Sequence, residues 1–172
     1  NNVRDVCIAL RQPIGQEDFD LRHKTNYITT YYVCCSTHFP NTLTYSQPFE
    51  AELLPWLSLA KGFDGMLRWA YNSWPENPQY DSRFAKFASG DTYFIYPYAR
   101  SSIRFERLVD GVELYEKVHA LRAKYGANAP QLAAIEAKLA EFRALNSEFN
   151  NSSYNWVAFL AEMNKLVNEV AK

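Results

Sequence analysis

The sequence predicts an α/β fold in which β-strands and helices alternate around a parallel sheet, followed by a segment that is helical throughout. Three observations carry the prediction. Short runs rich in β-branched and aromatic residues recur through residues 1–100. Segments with apolar residues at helical spacing lie between them, and from Ser102 onward only the helical spacing persists.

Taken in order, Val6-Cys7-Ile8-Ala9-Leu10 reads as a short buried strand, closed by Gln12-Pro13-Ile14-Gly15, and Glu17 to Lys24 as a short polar helix. Tyr27 to Cys35 (YITTYYVCC) is a second strand, and a loop from His38 runs to Pro48. Phe49 to Ala60 carries Phe49, Leu53, Leu54 and Leu57 at helical spacing; Pro55 is expected to kink or break this helix, because proline lacks a backbone donor. Gly62 suits its C-terminal cap. Gly65 to Tyr71 is a third strand, Asn72 to Ser82 a loop, and Asp91 to Pro97 a fourth strand opened by Gly90. Ser101 or Ser102 caps a long helix over Ile103 to Tyr125, ended by Gly126. Pro130 to Leu145 and Trp156 to Val170 are two further amphipathic helices. Asn150 and Asn151 open overlapping glycosylation-type Asn-x-Ser patterns between them.

Composition narrows the function. The chain has 172 residues, 18 Lys plus Arg against 19 Asp plus Glu, and a net charge of -1. Near-neutral charge lacks the electrostatic footprint of nucleic-acid binding, so no nucleic-acid partner is expected. No run approaches the roughly 20 apolar residues of a membrane span. Aromatics reach 16%, with 12 Tyr, 11 Phe and 4 Trp, which suits a large core or stacking platforms for sugar-like ligands. The start at Asn1 without an initiator Met reads as a piece of a longer protein. Cys7, Cys34 and Cys35 are odd in number and two are adjacent, so no disulfide framework or zinc spacing emerges. Burial as small hydrophobes is the expectation for the adjacent pair, Cys34 and Cys35.

Ligands of parallel βα architectures bind at the carboxyl ends of the strands. The third strand end is the richest, placing Trp69, Tyr71, Asn72 and Trp74 together. An indole offers a stacking face for a sugar ring, and an amide pairs with its hydroxyls or acetamide. Trp69 could equally be core; Trp74 and Asn72, past the strand, are expected to face a cleft. His38 stands near the second strand end, either as a proton donor or as an ordinary loop histidine. Arg68 inside a strand needs a carboxylate, with Asp91, Glu106 and Asp64 as candidates. Arg104, Glu106, Arg107, Asp110 and Glu116 read as a salt-bridged helix face, although Arg104 in the first turn is near enough to a strand end to touch a ligand. Paired catalytic carboxylates, phosphate loops, nucleophile elbows and metal spacings are not evident, and no cofactor is expected.

The ordered set Gly65-Met-Leu-Arg-Trp-Ala-Tyr-Asn-Ser-Trp74, Asn77-Pro78, Asp81, Arg83, Gly90-Asp91, Tyr96-Pro97, Ser102-Ile103-Arg104, Glu106, Asp110-Gly111 and Tyr115-Glu116 resembles the C-terminal part of the catalytic domain of glycoside hydrolase family 123. Tyr32-Val33-Cys34-Cys35, Pro40-Asn41 and Pro55-Trp56 fit it too, so the resemblance covers roughly residues 5–122. It implies a (β/α)8 barrel, of which this chain would hold the C-terminal half, about four parallel strands, since a full barrel takes roughly 250 residues. Residues 1–125 are then the half-barrel and 126–172 a helical tail.

The resemblance also implies retaining β-N-acetylgalactosaminidase chemistry assisted by the substrate, in a family with many bacterial members for which a periplasmic or secreted location is favoured. The 2-acetamido group attacks the anomeric carbon, an Asp orients it and the adjacent Glu donates the proton. No Asp-Glu dipeptide occurs here, and Glu17-Asp18 has the reverse order and the wrong position, so the fragment is expected to be inactive alone. Trp69, Tyr71, Asn72 and Trp74 are carried over as walls of the sugar subsite, with Tyr32 and His38 as weaker candidates; Arg104, Asp91 and Asp110 are read as structural pairs. The expected partners are a glycan and, through an open sheet edge, a second copy of the chain. Two rival readings are a non-catalytic carbohydrate-binding or scaffold module and a helical interaction domain using residues 130–172.

Overall fold

The structure, a computed structural model, describes residues 3–10, 14–145 and 153–172. Its elements in chain order are β1 (Asp5–Ala9), α1 (Gln16–Lys24), β2 (Ile28–Tyr32), α2 (Pro48–Lys61), β3 (Gly65–Met66), α3 (Ile103–Tyr125), α4 (Ala133–Leu145, entered by a 3-10 turn at Pro130–Leu132) and α5 (Trp156–Val170). The strands form a parallel sheet in the order β1-β2-β3, with Asp5 to Ala9 aligned on Ile28 to Tyr32, and Thr30 and Tyr31 on Gly65 and Met66. The sequence-predicted βα alternation is present. Residues 11–13, just past the first predicted strand, and the Asn150-Asn151 patterns lie outside the described residues.

The sheet departs from expectation in two places. The third strand stops at Met66: after Leu67 donates its amide to the Tyr31 carbonyl at 2.8 Å, the Arg68 side chain turns to other carbonyls and the chain leaves the ladder. Asp91 to Pro97 forms no ladder strand, so three strands replace the expected four among the described residues. Its apolar residues Tyr93 and Phe94 are buried nonetheless. They are held by a short antiparallel contact in which Ser73 donates to the Thr92 carbonyl and Phe94 to that of Tyr71. A run bounded by Gly90 and Pro97 has buried its Tyr93 and Phe94 rings as a packed loop.

Helix α2 is the centre of the molecule. Glu50 to Ala60 are all buried, with the sheet on one side and α3, α4 and α5 on the others. Gln47 and Glu50 make a reciprocal capping box, and Gly62 closes the helix at φ 80°. Pro55 lies inside it without ending it. An internal proline costs about 3 kcal/mol, whereas Leu53, Leu54, Trp56 and Leu57, each fully buried, contribute about 1.5–3 kcal/mol apiece. Packing outweighs the lost hydrogen bond. Gly111 of α3 is where the two helices meet: a Cβ there would lie 2.6 Å from the Glu52 carbonyl oxygen.

The chain from 126 onward shares this core. Leu132, Ile135, Leu139, Phe142, Trp156, Phe159, Met163 and Val167 belong to the same buried cluster as Tyr31 and Leu54. Arg122 of α3 forks onto Glu136 of α4 at 2.8 and 2.9 Å, and Asn164 of α5 donates to buried Glu52 of α2.

The two faces of the sheet differ sharply. Along β2 the burial alternates, and Thr29, Tyr31 and Val33 face the helices. Ile28, Thr30 and Tyr32 point to the other side, where Ile28 is 44% and Leu67 46% exposed. Parallel sheets are normally covered on both faces; here the described helices gather on one.

Candidate functional site

The loops after β2 (33–47) and after β3 (67–102) converge at the carboxyl end of the sheet. Thr44 donates its amide to the Ser89 carbonyl at 3.0 Å and its hydroxyl to the same oxygen. In the β2 loop, Thr37 closes a turn on the Cys34 carbonyl, and the buried Asn41 side chain donates to the carbonyls of both Cys34 and Thr37. The Asn41 amide in turn reaches Glu50 at the start of α2 at 2.9 Å. Glu50 accepts from two backbone amides, yet burial still raises its carboxyl above the usual glutamate range.

Two buried arginines hold the β3 loop. Arg68 donates to the carbonyls of Val33, Gly90 and Asp91 and pairs with the Asp91 carboxylate at 3.5 Å. The three sequence candidates for its partner thus resolve to Asp91. Burial pulls the Arg68 guanidinium down to about 10, against the pull of Asp91. Arg104 is 5% exposed, donates to the carbonyls of Thr42 and Gly90, and lies over the Tyr93 and Phe94 rings. It is therefore a loop anchor with carbonyl partners rather than half of an ion pair or a surface contact for a ligand. Of the expected structural pairs, Asp91 goes to Arg68, and Asp110 to Arg107 at 2.9 Å.

The sequence-selected residues are distributed around this scaffold. Trp69 is 41% exposed, which places it on the open side rather than in the core. Its indole lies 5.1 Å from the Phe87 ring, and its Nε1 donates to Asp91 at 3.4 Å. Tyr71 is 43% exposed and meets Phe105 edge-on at 6.0 Å. Asn72 is exposed and forms the antiparallel bridge to Tyr93. Trp74 is half-buried, its indole N–H given to the Ile95 carbonyl at 2.7 Å. Tyr32 ends β2 on the face that the described helices leave open, and His38 is exposed in the β2 loop.

Two features lay outside the sequence reading, and a third reverses it. Phe84 and Phe87 stack at 6.5 Å and extend the Trp69 ring into an aromatic row. Tyr80 and Tyr98 are 87% and 92% exposed on the β3 loop, Tyr98 on a left-handed backbone at φ 62° that costs a non-glycine residue free energy. The cysteines are not buried hydrophobes: Cys7 and Cys35 are exposed and Cys34 half-buried. Cys7 is on an edge strand, and Cys34 and Cys35 lie in the turn beyond β2. An aromatic row beside an amide, a buried Arg–Asp pair and backbone carbonyls suits ring stacking and hydroxyl recognition.

The profile described as glycoside hydrolase 123, catalytic domain, matches residues 1–121. No curated protein sequence matches the chain. Among solved structures, a family 123 glycoside hydrolase from Clostridium perfringens, studied for glycolipid glycan hydrolysis, aligns with a TM-score of 0.74 at 24% identity. The alignment covers 98% of this chain and 32% of that one, so this chain spans about a third of its length. The likeness speaks to the fold.

Proposed function

Because the chain belongs to the glycoside hydrolase family 123 catalytic-domain family, we propose that it forms one wall of the sugar-binding cleft of a glycoside hydrolase and is inactive alone. The observation that carries this is the face of a parallel sheet that the described helices leave open: it exposes Ile28 and Leu67, and Trp69 lies at its carboxyl end, where two anchored loops meet. In a (β/α)8 barrel that face is the interior, and the loops at the strand carboxyl ends build the active site. On this reading residues 1–125 belong to a C-terminal half-barrel, 126–172 are an appended helical tail, and the free edges of β1 and β3 pair with the rest of a barrel or with a second copy.

The proposed chemistry is retaining hydrolysis of β-N-acetylgalactosaminides, glycolipid-borne glycans among them. The substrate acetamide attacks the anomeric carbon, and an Asp-Glu pair from another strand end orients it and protonates the leaving oxygen. Trp69, Tyr71, Asn72 and Trp74, with Tyr32 and His38 as weaker candidates, supply no proton in this scheme. They stack on the ring and hold the substrate against the carboxylates. The helical interaction reading has no observation in its favour, since the apolar stripes of α4 and α5 are spent on the chain's own core.

The experiment compares the chain alone with a polypeptide that joins it to an Asp-Glu-bearing half-barrel. The joined protein is expected to hydrolyse an aryl β-N-acetylgalactosaminide, and the chain alone to show none. Trp69→Ala is expected to raise KM by about tenfold, the loss of roughly 1.4 kcal/mol of stacking. Turnover by the chain alone, or an unchanged KM, overturns the assignment; sugar binding without turnover by the joined protein favours the carbohydrate-binding module.

A further inference from the structure

The two adjacent thiols after β2 have a placement that glycan chemistry does not use. The turn that carries them is rigid: Thr37 N–H closes on the Cys34 carbonyl at 2.9 Å, and Asn41, itself 1% exposed, donates to that carbonyl at 2.9 Å and to that of Thr37 at 2.6 Å. Within the turn the two cysteines are consecutive, so their Cα atoms are about 3.8 Å apart, and the Cys34 sulfur lies 3.2 Å from the Ser36 hydroxyl. Cys35 is exposed, Cys34 half-buried, and neither is in a disulfide. Two consecutive thiols therefore stand on a fixed backbone with solvent access, within reach of one bridging atom by side-chain rotation.

We infer that Cys34 and Cys35 form a vicinal dithiol site for a trivalent, thiophilic metalloid of the organoarsenical class. Among the described residues no group of three or more His, Cys, Asp or Glu side chains is placed to hold a metal ion. A four-coordinate zinc site is thus not built here, whereas an organoarsenic(III) centre is satisfied by two sulfurs. The step balances without an oxidant: the arsenic–oxygen bond of an arsine oxide breaks, two arsenic–sulfur bonds form, and the oxygen leaves as water with both thiol protons.

Partial desolvation in the turn, with Cys34 and Asp91 nearby, pushes the Cys35 thiol up although the residue is exposed. That slows reagents requiring a thiolate, such as iodoacetamide, and leaves condensation with the neutral thiols open. Cys7 provides an internal comparison. It is paired in register with Thr30, four residues before Cys34, or about 13 Å along an extended chain, and is beyond the reach of one bridging arsenic atom. The site adjoins the proposed sugar cleft but does not rest on that reading.

The reduced 172-residue chain, treated with phenylarsine oxide and read by intact mass, is expected to take up one bridging adduct. Two-point attachment should retain it about a hundredfold better against excess monothiol than a one-point adduct, while a dithiol removes it. Cys7→Ser is expected to leave retention unchanged, and Cys34→Ser or Cys35→Ser each to abolish it, with circular dichroism verifying that these partly exposed positions leave the fold intact. A wild-type adduct stripped by monothiol overturns the proposal. So does one that survives either substitution.

Discussion

The Arg68–Asp91 pair decides whether the β3 loop is held to the sheet. Its side chains are 6% and 1% exposed and 3.5 Å apart, a separation at which unit charges attract by about 5 kcal/mol at an effective dielectric of about 20. Removing one partner of such a buried pair costs about 3–5 kcal/mol, because the other charge stays buried without compensation. Asp91→Asn leaves Arg68 with its Val33, Gly90 and Asp91 carbonyl acceptors, so its cost should sit near the low end, about 3 kcal/mol. Arg68→Met strips all three carbonyls of that donor and leaves a carboxylate with the Trp69 indole at 3.4 Å, which sets it near the upper end, about 5 kcal/mol. With about 2–4 °C per kcal/mol for a chain of this size, the expected drops in Tm are about 6–12 °C and about 10–20 °C. The double variant should lose clearly less than the sum, since it buries no orphan charge. Thermal melts give the magnitudes, and amide exchange over residues 82–95 reports whether the loop opens first. Single variants within about 2 °C of wild type, or strict additivity, would refute the reasoning.

Two further outcomes follow from α2. Gly111→Ala should lower stability by about 1–3 kcal/mol through overpacking, despite alanine's gain of about 1 kcal/mol in helix propensity, because its Cβ would meet the Glu52 carbonyl at 2.6 Å; a Tm at or above wild type sinks the close-crossing argument. The Glu52 carboxyl is held above the usual glutamate range by burial, an effect that Asn164 and Arg107 offset only in part. The folded chain therefore binds more protons than the unfolded chain between the ordinary and the raised value, and its stability falls as pH rises through that window. Glu52→Gln does not titrate, so the stability gap between wild type and variant should narrow with rising pH, as measured by urea unfolding between about pH 4 and about pH 8. A gap that is flat or widens contradicts it.

The helices were legible because their signal is local. Ser102 is the cap of α3 and accepts from the Phe105 amide, Gly126 follows its end, and α5 spans the residues that the apolar spacing marks. The strands were less legible where composition and ladder disagree. Asp91 to Pro97 has strand-like residues, yet its amides and carbonyls go to Tyr71 and Ser73 in a loop, a long-range choice that no local propensity encodes. Arg68 advertised its need for a carboxylate, but the choice among Asp64, Asp91 and Glu106 was made by the fold of the β3 loop. Phe87 gave no signal at all, since its role is to lie beside an indole 18 positions earlier.

The cysteines and exposed apolar residues have one common cause. Thr30, Tyr32 and Cys34 alternate onto one side of β2, and Leu67 aligns with Tyr32 one step past the paired register of β3. Apolar content along these runs says that a sheet is buried, but it does not say which segment covers each face. Tyr31 shows the covered side: fully buried, with its hydroxyl given to the Leu54 carbonyl at 2.7 Å and its ionisation suppressed by burial. One residue along, Tyr32 points to the side that the described helices leave open. If the proposed barrel closes, that side becomes its interior, and Ile28 and Leu67 become packing residues. Trp69 and Cys35, at the carboxyl end, keep their access in either case. The barrel proposal therefore requires protection on assembly to be graded along β2, strong at Ile28 and weak at Cys35, whereas covering by an unrelated partner has no reason to spare the carboxyl end.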